Sequence, residues 1–268
     1  MKLKLTYLYP ELMNMYADRG NVIALARRCQ WHGIELAIEN ISPGAILDAA
    51  GTDFVFIGGG QDREQRLASD DLIGKREILR AMAEDGVVML AVCGGYQLFG
   101  KFYRPADAPE LPGVGILDAE TVAGNKRLIG NVVVDVGPVP RTGRDANPVP
   151  RTGRQFLVGF ENHSGKTFLG PGAKPLGKVA VGFGNNGEDG AEGAVYKNVF
   201  GTYLHGSLLP KNPWFTDHLI RLALDRRYGE ALLRPLDDSL EERAHKAAIA
   251  RARDARRRTR FMPGWLRS

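Results

Sequence analysis

The hydrophobic pattern changes period several times along the chain, and each change marks an element. Residues 2–8 alternate and predict a first strand. Residues 21–32 follow at helical spacing, with Val22, Leu25, Ala26 and Cys29 on one face and Gly33 placed to end the helix in a left-handed cap. Ile34, Leu36 and Ile38 alternate again as a second strand. Residues 53–57 form a short continuous apolar run that stops at Gly58-Gly59-Gly60, which reads as a buried strand and a tight turn. Ser69 is placed to cap a helix reaching Asp85, with Leu72, Leu79 and Met82 on one side and Gly86 at its end. Residues 87–92 are strongly apolar and run straight into Cys93-Gly94-Gly95. Continuous apolar strands alternating with amphipathic helices predict an α/β fold, a doubly wound, mostly parallel sheet with helices on both faces.

The second half has a different rhythm. Residues 130–136, 156–160, 179–183 and 194–204 read as strands separated by glycine-rich turns such as Gly184-Asn185-Asn186-Gly187. Asn212-Pro213 reads as the cap and first-turn proline of a helix ending near Tyr228. The segment PVPRTGR occurs twice, at 138–144 and 148–154. A ten-residue spacing with two copies buries nothing, so it predicts a duplicated, exposed loop. From about Leu236 the chain is rich in alanine and arginine; this composition is compatible with a helix, but the weak apolar stripe predicts a solvated or disordered extension. The division is then 1–235 as one domain, with 138–154 as its loop, and 236–268 as a basic C-terminal extension.

Composition sharpens this picture at three points. The chain has 268 residues, 44% of them hydrophobic, enough for a core without staples. Two cysteines make no disulfide framework, which with the absence of a secretion-type leader points to the reducing cytoplasm. The net charge of +5 belongs to the tail: residues 241–268 carry nine Lys/Arg and three Asp/Glu, so the first 240 residues sum to −1. No nucleic-acid partner is expected of the main domain. The basic tail leaves open peripheral contact with a protein partner or an anionic membrane surface.

The candidate chemistry centres on Cys93. A cysteine between an apolar strand and a helix sits on a sharp elbow, where backbone N–H groups and the helix N-terminus favour a thiolate. Cys29, on the apolar face of a helix, reads as inert core. A thiolate needs a base, and His205 ends the apolar run Phe200-Gly201-Thr202-Tyr203-Leu204, so two strand-end residues 112 positions apart can converge on one sheet edge. His163, in Phe160-Glu161-Asn162-His163, is a second candidate. Gly58-Gly59-Gly60 supplies N–H groups for an oxyanion, or is simply a flexible turn. No Gly-x-x-x-x-Gly-Lys-Ser/Thr loop is present, so no ATP site and no metal or other cofactor is expected on this chain.

The set Gly58-Gly59-Gly60-Gln61, Ala91-Val92-Cys93-Gly94-Gly95-Tyr96-Gln97 and Gly201-Thr202-Tyr203-Leu204-His205-Gly206 resembles the class I glutamine amidotransferases of the cobyric acid synthase type, which are flavodoxin-like. The blocks Tyr7-Leu8-Tyr9-Pro10-Glu11-Leu12-Met13-Asn14, Tyr16-Ala17-Asp18-Arg19-Gly20-Asn21 and Gly159-Phe160-Glu161-Asn162-His163 are most similar to the glutaminase subunits of lipid II isoglutaminyl synthases. The resemblance spans residues 3–230. It implies that Cys93 attacks the side-chain amide of glutamine and that His205 is the acid and base. It implies Gly60 and Gly94 N–H groups as the oxyanion hole and Arg127 on the glutamine α-carboxylate, with Gln97, Gly59, Asn162 and His163 around the substrate. It also implies a Mur-ligase-like partner that uses ATP and receives the ammonia to amidate D-glutamate in the lipid II stem peptide. Many class I enzymes carry a glutamate two positions after the histidine; here that position is Ser207. A partner subunit is expected to supply the third group or otherwise complete the site. Two other readings are a glutaminase for another amidation such as that of cobyrinate, and a cysteine hydrolase without ammonia transfer.

Overall fold

The computed structural model describes residues 1–15, 18–137 and 155–261. In chain order the first half contains β1 (Lys2–Leu8), α1 (Arg19–Trp31), β2 (Glu35–Ile41), β3 (Phe54–Ile57), α2 (Asp62–Gly74), α3 (Arg76–Glu84), β4 (Val88–Val92) and α4 (Gly94–Phe99). The second half contains β5 (Phe102–Arg104), β6 (Leu111–Pro112), β7 (Ala119–Gly137), β8 (Gln155–Leu169), β9 (Gly177–Val181), β10 (Ala191–Glu192), β11 (Ala194–Tyr196), β12 (Val199–Thr202), α5 (Leu208–Lys211), α6 (Pro213–Tyr228) and α7 (Ser239–Phe261).

The first sheet has the order β11-β12-β4-β3-β1-β2. All its pairings are parallel except β11 with β12 at one edge. The doubly wound reading therefore holds. β1 feeds β2 on one side and the chain returns to β3 on the other, so right-handed crossovers put α1 and the α2–α3 pair on opposite faces. Every residue of β3 and β4 is buried, as continuous apolar runs require when both faces are covered. Each fully buried Leu, Ile or Phe of this layer contributes roughly 1.5–3 kcal/mol.

A second sheet, of order β10-β9-β7-β5-β6 with β8 on β7, packs beside the first. Its centre is the long antiparallel hairpin pair β7 and β8, whose register shifts between Ala123 and Leu128. The alternating patches at 130–136 and 156–160 were only the most apolar stretches of these two strands.

Three sequence expectations change. Ser69 lies inside α2, its hydroxyl donating to Pro112 O at 2.8 Å, because the helix already starts at Asp62 with Asp62 and Glu64 in its first turn. The single strand expected over 194–204 is two strands folded back at Lys197, whose φ is +50. The basic tail forms α7, and its Ala248, Ile249 and Ala252 pack on Val133, Val158 and Val181 of the second sheet. The duplicated loop at 138–154 lies outside the described residues, as do Tyr16 and Ala17.

Candidate active site

Because β1, β3, β4 and β12 are parallel, their carboxyl ends share one rim, and the chain leaving each brings one part of the site there. After β1, residues 9–15 run over the Gly58–Gly60 turn, with Met15 N donating to Gly59 O at 2.9 Å, and the segment delivers Asp18. After β3 comes that turn itself. After β4 comes Cys93, and three residues beyond β12 comes His205.

Cys93 is the elbow the sequence implies. Its φ of +51 and ψ of −107° are far from ordinary cysteine geometry, and such a conformation persists where surrounding packing fixes it. Its N–H continues the ladder to Thr202 O at 2.8 Å, while α4 begins at the next residue. The sulfur therefore stands at the strand end, next to a helix N-terminus.

His205 is held from both sides of the peptide. Its N–H donates to Phe160 O at 2.7 Å and its carbonyl accepts from Phe160 N at 3.2 Å, tying it to β8 of the second sheet. Its Nδ1 lies 3.3 Å from Asp18 Oδ1, and both side chains are fully buried. Burial alone would lower the imidazole pKa. The charge of the Cys93 sulfur, with hydrogen bonds to Asp18 and to Cys93, outweighs burial and raises it well above the ordinary histidine value. With Nδ1 committed to Asp18, Nε2 is the nitrogen left to exchange a proton with the thiol.

Asp18 is the residue that sequence reading missed: it places a carboxylate of this chain beside the His205 imidazole. Its Oδ2 accepts from Gly59 N at 2.8 Å, which fixes the carboxylate between turn and imidazole. The position that carries glutamate in many class I enzymes is Ser207, which packs against α1. A β-carbon on Gly20, in α1, would fall 2.1 Å from Ser207 Oγ. The carboxylate comes instead from the start of α1, 187 residues away in sequence. The motif Tyr16-Ala17-Asp18-Arg19-Gly20 was visible, but nothing in it announced a long-range partner.

The glycines of the turn are dictated by crowding. A β-carbon on Gly59 would lie 3.0 Å from His205 Cε1, 3.3 Å from Cys93 Cβ and 3.4 Å from Asp18 Oδ2. One atom position thus touches all three groups, which shows how closely they converge. A β-carbon on Gly94 would lie 3.0 Å from Gly60 N, so these two amides flank the same small space. Gly59 N is used by Asp18 and Gly95 N by Gly58 O. Among the described residues the Gly60 and Gly94 N–H groups donate to no protein acceptor, as an oxyanion hole requires.

The remaining expected residues separate into two groups. Gln97 is fully engaged: its Oε1 accepts from Gln65 Nε2 at 2.7 Å and its Nε2 donates to Tyr203 OH at 3.1 Å. It braces the wall of the site. His163 is buried, stacks on Tyr203 at 3.6 Å, and has Nδ1 2.7 Å from Gly165 O. Burial pushes its pKa down to about 4, and the stacking holds the ring against Tyr203. Arg127 is exposed, sits where β7 bulges, and donates through Nε to Asn162 Oδ1 of β8. Asn162 thereby orients the one cation expected to meet a substrate carboxylate. Cys29 is buried and its thiol is pushed up to about 12 by desolvation, as inert core demands. His32 pairs with Asp217 at 3.0 Å, away from this rim. Among the described residues no group of three His, Cys, Asp or Glu is arranged to hold a metal ion, and no helix is long and apolar enough to cross a membrane.

Two further acids lie buried beside the site. Glu161 accepts from Phe183 N at 2.7 Å and Gly184 N at 2.8 Å, and burial pushes its pKa up to about 8. Glu192 accepts from Thr202 Oγ1 and Tyr203 N, both at 2.7 Å, and burial pushes it up to about 7. Glu161 ties the 183–184 turn to β8, and Glu192 ties β10 to the end of β12.

Residues 4–213 match the CobB/CobQ-like glutamine amidotransferase domain. The chain is 38% identical over 251 residues to the lipid II isoglutaminyl synthase (glutamine-hydrolyzing) subunit GatD of Staphylococcus aureus, spanning 94% of this chain and 96% of that one. It is 36% identical over 235 residues to the subunit of that name from Streptococcus pneumoniae, spanning 87% and 85%. A cobyric acid synthase of Pelotomaculum thermopropionicum is 32% identical over 162 residues, which are 58% of this chain and 29% of that protein. Among solved structures, a glutamine amidotransferase of Thermotoga maritima aligns with a TM-score of 0.50 at 16% identity, spanning 92% of this chain and 94% of that one, a likeness of fold.

Proposed function

Because the chain belongs to the CobB/CobQ-like glutamine amidotransferase family and is a glutamine-hydrolysing enzyme subunit, we propose that Asp18, His205 and Cys93 act as a triad on the side-chain amide of L-glutamine. The observation that carries this is their convergence on Gly59 at the rim of the parallel sheet. The Cys93 thiolate attacks the amide carbon, and the developing oxyanion accepts from the Gly60 and Gly94 N–H groups. His205 Nε2 gives its proton to the departing ammonia, then takes one from the water that releases glutamate. Asp18 keeps the ring proton on Nδ1 throughout. Arg127, aimed by Asn162, pairs with the glutamine α-carboxylate.

The ammonia serves an acceptor on another protein. The similar subunits carry the name lipid II isoglutaminyl synthase, and on that basis the acceptor is the α-carboxylate of D-glutamate in the lipid II stem peptide. The partner is a Mur-ligase-like synthetase that uses ATP, in the cytoplasm. Glutamate release from glutamine, with a glutamine-mimicking chloroketone that labels Cys93 and stops it, tests the chemistry. Co-purification of a Mur-ligase-like protein tests the assignment. Labelling of Cys29, or glutamine turnover by Cys93→Ser at the wild-type rate, refutes the mechanism.

A further inference from the structure

The chain leaves His205 through two successive left-handed residues, Gly206 at φ +68 and Ser207 at φ +48, before it enters α5. Such a turn directs a carbonyl inward, where it needs a donor. The donor is Lys211 Nζ, which bonds Gly206 O from the far end of α5. A β-carbon on Gly206 would lie 2.8 Å from that nitrogen, so the glycine makes room for it. Among the described residues Lys211 pairs with no carboxylate, and burial lowers its pKa. An ammonium is thus drawn from water to hold one carbonyl beside the catalytic histidine.

Lys211 is in turn held by the C-terminal helix. His245 of α7 places Nδ1 2.8 Å from Lys211 O. The helix is anchored at its start and near its middle. Asp238, just before it, takes Arg28 Nη1 at 2.8 Å and Nη2 at 3.0 Å, and Ala252 is buried against the second sheet. Arg28 belongs to α1, whose N-terminal flank is Asp18. The C-terminal segment therefore bonds to α1, which starts right after Asp18, through Arg28, and to α5, which follows His205 in the chain, through the Lys211 carbonyl.

We propose that Lys211 is a positioning residue for His205, and that α7 is the brace that keeps it in place. This rests on His205 being the base. The ammonium pins the Gly206 carbonyl, the pinned turn fixes the imidazole against Cys93 and Asp18, and His245 prevents α5 from drifting.

The test uses the full chain, measuring kcat and KM for glutamine, the rate of Cys93 alkylation by iodoacetamide, and Tm. Lys211→Met lowers kcat at least about ten-fold, leaves KM within about two-fold, and slows alkylation in parallel, as loss of one charge-assisted bond to the turn predicts. Lys211→Arg restores kcat to within about three-fold of wild type. His245→Ala shows the same kcat–KM split at smaller size, and decides the matter if Lys211→Met does not fold. The proposal is overturned if Lys211→Met keeps kcat within about two-fold of wild type, or if the loss follows Tm alone and arginine does not recover it. His205→Asn is the control. Wild-type turnover there removes the base reading itself, whereas a dead His205→Asn beside a fully active Lys211→Met removes only this proposal.

Discussion

Replacing Asp18 with asparagine changes one atom and inverts the hydrogen-bond logic of the site. Gly59 N–H, 2.8 Å from Oδ2, demands an acceptor, so the amide oxygen stays there and the NH2 group turns to His205 Nδ1, now 3.3 Å from a donor. Two donors cannot share that contact. The ring proton moves to Nε2, the nitrogen that must be free to accept from the thiol. Loss of a hydrogen bond to a charged partner costs roughly 1.5–3 kcal/mol, or about 10- to 10²-fold in rate. The wrong tautomer adds to this, and in a serine triad the same inversion is worth about 10⁴. We expect Asp18→Asn to lower kcat between about 10² and 10⁴-fold with little change in KM or Tm, because the side chains are isosteric and no substrate atom is touched. Glutamate release coupled to glutamate dehydrogenase measures kcat, and NMR of the imidazole reads the tautomer. Half of the wild-type kcat surviving, with or without a synthetase partner, refutes the triad.

Other consequences follow from the same geometry. Gly59→Ala drives a methyl group to 3.0 Å from His205 Cε1 and 3.3 Å from Cys93 Cβ, so activity falls while the fold persists; circular dichroism beside turnover separates the two. Arg127→Ala raises KM for glutamine by about 10- to 10²-fold with kcat nearly kept, if its role is a charge-assisted bond made equally in ground and transition states; an equal fall in kcat contradicts this. In Cys93→Ala the charge that raises the His205 pKa is gone, so the imidazole titrates at lower pH than in wild type, followed by NMR. The stability contributed by that raised pKa is present below the unfolded value near 6.5 and lost as pH rises through the folded value, and the variant shows less of this dependence. Glu161 has the same sign: its carboxyl is raised to about 8, so its contribution is full below about 4.5 and is lost as pH approaches 8, by an amount on the order of a few kcal/mol. Denaturant midpoints from pH 5 to 9 lose this slope in Glu161→Gln, even though the amide meets two N–H donors less well.

Local pattern determined a good part of this protein. Continuous apolar runs at β3 and β4 announced strands buried on both faces, and Cys93-Gly94-Gly95 directly after one of them announced the elbow, because strand, turn and helix N-terminus all lie within a few residues. His205 was legible for the same reason, as a polar residue ending an apolar run. What the fold decided is where distant groups meet. Asp18 was legible only as part of the block 16–21, and His163 stood as a second candidate behind His205, until the sheets placed the carboxylate against Nδ1 and stacked the His163 ring on Tyr203. The same holds for the tail, whose weak apolar stripe gave no hint that Ala252 is buried or that His245 reaches Lys211. Periodicity reports which face of an element is buried. It carries no information about which other element covers that face, since burial is non-directional. Directional bonds between residues nearly two hundred positions apart exist only once the parallel strands have aligned their ends.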